Sequence, residues 1–423
     1  MSYLKNVPAH EQTEQMCLQA VRSDGTELYY VHHQTPEICM EAIKHSGIAL
    51  DYVRDQTPEL CMAAVTMRGW TLRYVKDQTP ELCMTAVKRD WEALEYVKVQ
   101  TPEICMAAVK TNGLALSYVR DQTPEVCMAA IEQDWHALQF VEDQTPEVCM
   151  AAIEQAWHAL QYVKNQTPEL CRAAIGYNGL ALKYVKDQTP ELCLEAVAQN
   201  GEALQYVKDQ TPEICLAAVR QTVEAFEYVE EQTPEICLAA VSAVGTVLED
   251  VIDQTPEICL AAVRQDGWAL QFVKEQTPEI CLAAVQQDPD ALRHVKNQTP
   301  EICLAAIRQD PDAIKHIREQ TPDLCLEAVR LSGDAIQYVR DLTSKLCIEA
   351  VRQDPLALKY IAHKHQELHT VIEALRGDPE AKQYLADKFR TPEVFKAAGC
   401  NYRQEDLSVP QILSQVLSQN VNR

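Results

Sequence analysis

The feature that most limits the folds open to this chain is a strict 22-residue period. Sixteen of its 17 cysteines, Cys17, Cys39, Cys61 and onward to Cys347, recur at that interval, and only Cys400 falls off the grid. Fourteen Thr-Pro pairs keep the same register, while Pro289, Pro311 and Pro355 share another column. A period between about 20 and 50 residues marks a stacked repeat, because one such unit cannot bury its own apolar face. The unit reads QTPEICLAAVRQDGWALQFVKE at Gln254 to Glu275, and sixteen copies run from Gln12 to His363 without insertion or deletion.

Each unit carries two helix signals. In the first, here called helix A, Thr57 suits the N-cap, Pro58 the first helical position and Glu59 the positive end of the dipole. Leu60, Cys61, Ala64 and Val65 then share one face of a helix of about ten residues. The second, helix B, starts near Asp266 and turns Ala269, Leu270, Phe272 and Val273 inward over about eight residues. The column that opens it holds Gly267 in one copy and Pro289 or Pro311 in others. Its backbone must accept the φ that proline imposes, so glycine is not there for a left-handed turn.

Two such short helices gain their stability by stacking on their neighbours. The expected fold is therefore all-α: a right-handed αα superhelical solenoid of about sixteen 22-residue two-helix repeats. Residues 1–11 form an N-terminal cap, 12–363 the solenoid, and 364–423 C-terminal capping helices. With 8–10 Å between packed helices, the contour is roughly 130–160 Å. Within the C-terminal cap, TPEVFKAAG at Thr391 to Gly399 echoes the motif out of phase, and Ile412, Leu413, Val416 and Leu417 define a last helical face.

The alanine and cysteine columns read as small buried residues that let helices approach. Cysteines one repeat apart lie beyond disulfide reach. The glutamine column, Gln12 through Gln320 with Leu342 as the exception, suggests a hydrogen-bonded ladder along the turn between repeats. The chain resembles tandem αα repeats of unknown function in bacterial proteins, often from host-associated species, with motifs of the form E-x-C-L-A-A-V-x-x-N-G-x-A-L-x-Y-V. That resemblance covers about 350 residues. It implies a helical interaction surface and brings no catalytic residues with it.

Membrane and secretory classes are not indicated. Apolar runs resemble the six residues Leu60 to Val65, far below the ~18 needed to cross a bilayer. The N-terminal MSYLKNVPAHEQ has no apolar signal region. Many unpaired thiols point to a reducing compartment, the cytoplasm of the producing cell or of a host. No cofactor, catalytic residue or metal site is expected. The nearest approach to a metal site, His363, His365 and His369, has His365 and His369 four apart on an expected helix, with the glutamate misplaced for HExxH. Cys400, outside the ladder, is the one candidate reactive thiol.

Two features point to partners. All five tryptophans fall at the turn between helix A and helix B, so Trp70, Trp91, Trp135, His136, Trp157, His158 and Trp268 make a candidate partner-binding edge. The net charge of −24 belongs entirely to residues 1–363, since 364–423 hold eight basic and eight acidic residues. Two acidic columns flank the QTP turn and would draw a stripe through Asp55, Glu59, Asp77, Glu81, Asp121, Glu125, Asp187, Glu191, Asp209 and Glu213. The leading expectation is a noncatalytic protein-binding scaffold or inhibitor whose partner has a basic surface, with no direct nucleic-acid or membrane binding. The alternative is an acidic DNA mimic that blocks a nucleic-acid-binding enzyme. Duplex DNA carries one charge per about 1.7 Å, against one net charge per about 6 Å here.

Overall fold

The computed structural model describes residues 3–409 and 412. It is an all-α solenoid in which each sequence repeat becomes a helix pair, and no strand occurs among the described residues. The chain divides into two compact units, Met1–Gln210 and Thr211–Arg423. Within each unit, every helix A packs on the next helix A; in the first unit, helices B stack on one another in the same way.

Helix A is a ten-residue α-helix, as in Pro58–Met67. The Thr57 hydroxyl accepts the Leu60 N–H, proline fills the first position without losing a bond, and Leu60, Cys61, Ala64 and Val65 are buried. The same threonine cap recurs from Thr13 to Thr343.

Helix B departs from the expected eight-residue helix. It is a six-residue 3₁₀ segment, as in Gly69–Tyr74, tied by i+3 bonds such as Thr71 N–H to the Arg68 carbonyl. Two turns of 3₁₀ suffice to aim Leu72 and Val75 inward. An aspartate or asparagine before helix B often caps it, as Asp266 accepts the Trp268 N–H.

The glycine reading holds: the one positive φ among the described residues is at Gly399, closing Pro392–Ala398. Close approach explains the glycines of helix B instead. A Cβ on Gly69 would lie 2.3 Å from the Ala86 carbonyl oxygen of the next repeat.

At the N-terminal end, Leu4 is buried and the Glu27 carboxylate accepts the Leu4 and Tyr3 N–H groups at 3.0 and 3.1 Å. After residue 363 the pattern resumes with a two-residue offset: Gln366 takes the ladder position, followed by helices Leu368–Gly377 and Pro379–Tyr384. Of the last expected helical face, Leu413, Val416 and Leu417 lie outside the described residues.

Candidate functional site

The QTP turns line up along one edge of each unit, and glutamine side chains join them. Gln56 Nε2 donates to the Leu50 carbonyl at 3.1 Å in the preceding repeat and to the Tyr74 carbonyl at 2.9 Å in its own. Its Oε1 accepts the Lys76 N–H at 2.9 Å. The Cys61 thiol completes the set, with Sγ 3.9 Å from the same Oε1. The expected ladder is present, but the cysteines are more than small apolar fillers: they donate weakly to the glutamine that joins two repeats. Burial pushes the Cys61 thiol above its ordinary range, with Asp77 adding to the rise.

A second ladder went unread in the sequence. Lys76 Nζ reaches back to the Arg54 carbonyl at 3.0 Å, Lys186 Nζ to the Lys164 carbonyl at 2.9 Å, and Arg340 to the Arg318 and Ile317 carbonyls at 2.6 and 2.9 Å. Recurrence of Lys or Arg at one register was the available signal. Glu142, Glu230 and Ile252 interrupt it.

These cations are spent on backbone oxygens. Consequently the neighbouring carboxylates of Asp55, Asp77, Asp121, Asp187 and Asp209 are exposed and make no hydrogen bond or ion pair among the described residues. The glutamate column differs. Glu59, Glu125 and Glu191 lie below the usual carboxylate range because their own backbone N–H and the capping threonine hydroxyl donate to them. Glu81 and Glu213 are likewise exposed at helix A starts. The acidic edge thus combines helix-start glutamates with unpaired aspartates.

Between successive turns lie open notches. One, of about 470 Å³, is lined by Asp55, Pro58, Cys61, Lys76, Asp77 and Leu82 among others. The next, of about 480 Å³, shares Lys76 and Asp77 and ends at Lys98 and Val99. Val99 takes the place of the aspartate and is 74% exposed.

The aromatic edge is less uniform than the sequence suggested. Trp91, Trp135 and Trp157 open their helices B, whereas Trp70 and Trp268 occupy the second position. Trp135 stacks on His136 at 3.7 Å and Trp157 on His158 at 3.5 Å between ring centroids. Each indole also lies about 6 Å from the tyrosine of the next repeat, Trp91 to Tyr118, Trp135 to Tyr162 and Trp157 to Tyr184. These three are half-buried, so part of their surface serves the stack itself. Trp135, His136, Trp157 and His158 form one cluster, while Trp70 packs on Tyr74 of its own helix B. In the second unit, Trp268 donates from Nε1 to Asp288 at 2.7 Å under Arg293.

Nonrepeated polar chemistry concentrates near Asp290, whose carboxylate meets Lys315 at 3.1 Å and His316 at 3.0 Å, with the buried His294 Nε2 unpartnered beside them. The histidine reading needs correction: His365 lies in a turn before Leu368–Gly377 begins, so it shares no helical face with His369. Cys400 is no activated thiol either. Its Sγ lies 3.0 Å from the Leu375 carbonyl, and burial raises its pKa.

Five stretches, residues 79–123, 101–144, 189–233, 255–299 and 277–321, match the model of a family described as a domain of unknown function (DUF4116). The chain is similar to that family along the repeat. Each stretch spans about two of the 22-residue units. No curated protein matches the chain.

Proposed function

We propose that the chain is a noncatalytic protein-binding scaffold or inhibitor that docks a partner with a basic surface along the QTP edge. The observation that carries this reading is the row of exposed, unpaired aspartates beside cations already engaged by carbonyls. Such carboxylates meet a partner's lysines without first breaking an internal ion pair. The cluster of Trp135, His136, Trp157 and His158 offers a second, aromatic contact, with Trp70, Trp91 and Trp268 as outlying members. Sixteen buried thiols outside any disulfide fit a reducing cytoplasm, of a bacterial producer or of its host.

The test is retention of captured partners by the immobilised chain across a salt series. Retention should fall as screening shortens the Debye length from about 10 Å to about 3 Å. It should also fall when Asp55, Asp77, Asp121, Asp187 and Asp209 become Asn. Retention indifferent to both changes removes the acidic edge from the mechanism. Indifference to joint replacement of Trp91, Trp135 and Trp157 by Ala removes the aromatic one.

One observation favours the DNA-mimic alternative locally. Residues 221–263 hold nine acidic residues, all exposed, and no Lys, Arg or His. Across two repeats of 8–10 Å each this approaches one charge per about 2 Å, near the density of duplex DNA. Displacement of DNA from a basic DNA-binding protein by the purified chain at low salt would support that reading, and no displacement would remove it.

A further inference from the structure

The two notches between Asp55 and Val99 have a repeat distance that a polypeptide can match. Consecutive repeats lie roughly 8–10 Å apart by helix packing. Three residues of polyproline II helix make one full turn and advance about 9.3 Å. Every third side chain of a polyproline II segment lies on one face and therefore meets successive turns of this edge.

The turns differ in what they offer. Asp55 and Asp77 present carboxylates without hydrogen bond or ion pair among the described residues. The cations beside them are held away, Arg54 on the His32 carbonyl at 2.8 Å and Lys76 on the Arg54 carbonyl at 3.0 Å. At the third turn, Val99 replaces the acid with an exposed apolar side chain. Pro58 and Leu82 give the first notch an apolar floor that suits the methylene stem of a lysine whose ammonium reaches the rim.

We propose that this edge takes a polyproline II segment of a partner protein carrying basic, basic and apolar side chains at three-residue intervals. The inference rests on the protein-docking reading above and specifies its register. Charge complementarity selects the first two contacts and Val99 the third. Each chain-borne cation already on a carbonyl leaves the entering one to the aspartates.

The test uses the full-length chain and fluorescein-labelled peptides read by anisotropy at low salt. Lys-Pro-Pro-Lys-Pro-Pro-Leu and its reversed sequence cover both chain directions, and an isomer with Lys-Lys-Leu contiguous keeps the composition. The better of the spaced peptides should bind about tenfold tighter than the isomer, the combined effect of several exposed pairs of modest strength. The double variant Asp55→Asn, Asp77→Asn should remove that advantage. Val99→Asp should shift preference from the better spaced peptide to its counterpart with lysine in place of leucine, a reversal that mere loss of folding cannot produce. Equal binding of spaced and contiguous isomers overturns the register while leaving acidic-edge docking in place. Absence of binding by every peptide overturns the proposal, and partner retention in the salt series then decides whether the broader reading survives. Unchanged preference in Val99→Asp also overturns the proposal.

Discussion

A glutamine amide has two donors and a two-lone-pair acceptor, and this edge uses them across the repeat boundary. Gln78 Nε2 meets the Leu72 and Tyr96 carbonyls at 3.3 and 2.9 Å, while Oε1 accepts the Lys98 N–H at 2.8 Å. No aliphatic residue can do this, which makes Leu342 the anomaly in its column. Leu342→Gln should stabilise the chain by about 1 kcal/mol, the net value of a recovered hydrogen bond, read as a higher urea midpoint. A lower midpoint would show that the final turn has repacked around leucine. The ladder could be expected from sequence because glutamine recurred at a capped turn. The thiol donor could not, since a buried cysteine in a helix reads the same whether or not its S–H finds an oxygen.

At the scale of the element, helix A was legible almost to the residue, because cap, proline and apolar face all marked the same ten positions. Helix B was legible as a helix but not as 3₁₀: apolar residues at Leu72 and Val75 are three apart, a spacing common to both helix types. The glycines separate two physical roles. Gly176 sits within Pro168–Tyr177 with nothing within 4 Å of an added Cβ, whereas at Gly69 that atom would strike the next repeat's backbone. Gly176→Ala should therefore raise stability by about 0.5–1 kcal/mol through helix propensity. Gly69→Ala should lower it by about 1–3 kcal/mol through overpacking. Equal effects of the two in thermal unfolding would refute the close-approach role. The candidate site was half legible: the aspartate column was visible, but its freedom depends on lysines reaching carbonyls in the preceding repeat, contacts that composition cannot disclose.

Repetition multiplies small titration effects over the whole molecule. Burial pushes the ladder thiols above their ordinary value of 9.0, Cys347 up to about 11. Unfolded thiols ionise first, so between those values the folded chain holds more protons than the unfolded one. Stability is then intact below pH 9.0 and declines as pH rises toward the folded values, with contributions from sixteen positions. The urea midpoint should hold steady from neutrality to about pH 8.5 and fall steeply by about pH 10.5. A flat alkaline profile would mean that the thiols ionise alike in both states. The helix-start glutamates Glu59, Glu125 and Glu191 act oppositely: they keep their contribution above the ordinary glutamate value of 4.5 and lose it as pH falls below. The glutamine ladder also bears on how such a chain changes over generations. Every polar bond it makes ends in its own or the adjoining unit, as from Gln100 to Leu94 and Tyr118. Inheritance can therefore add or drop whole 22-residue modules with every surviving amide still finding its partners, while a gain or loss of any other length misaligns the joint where it falls.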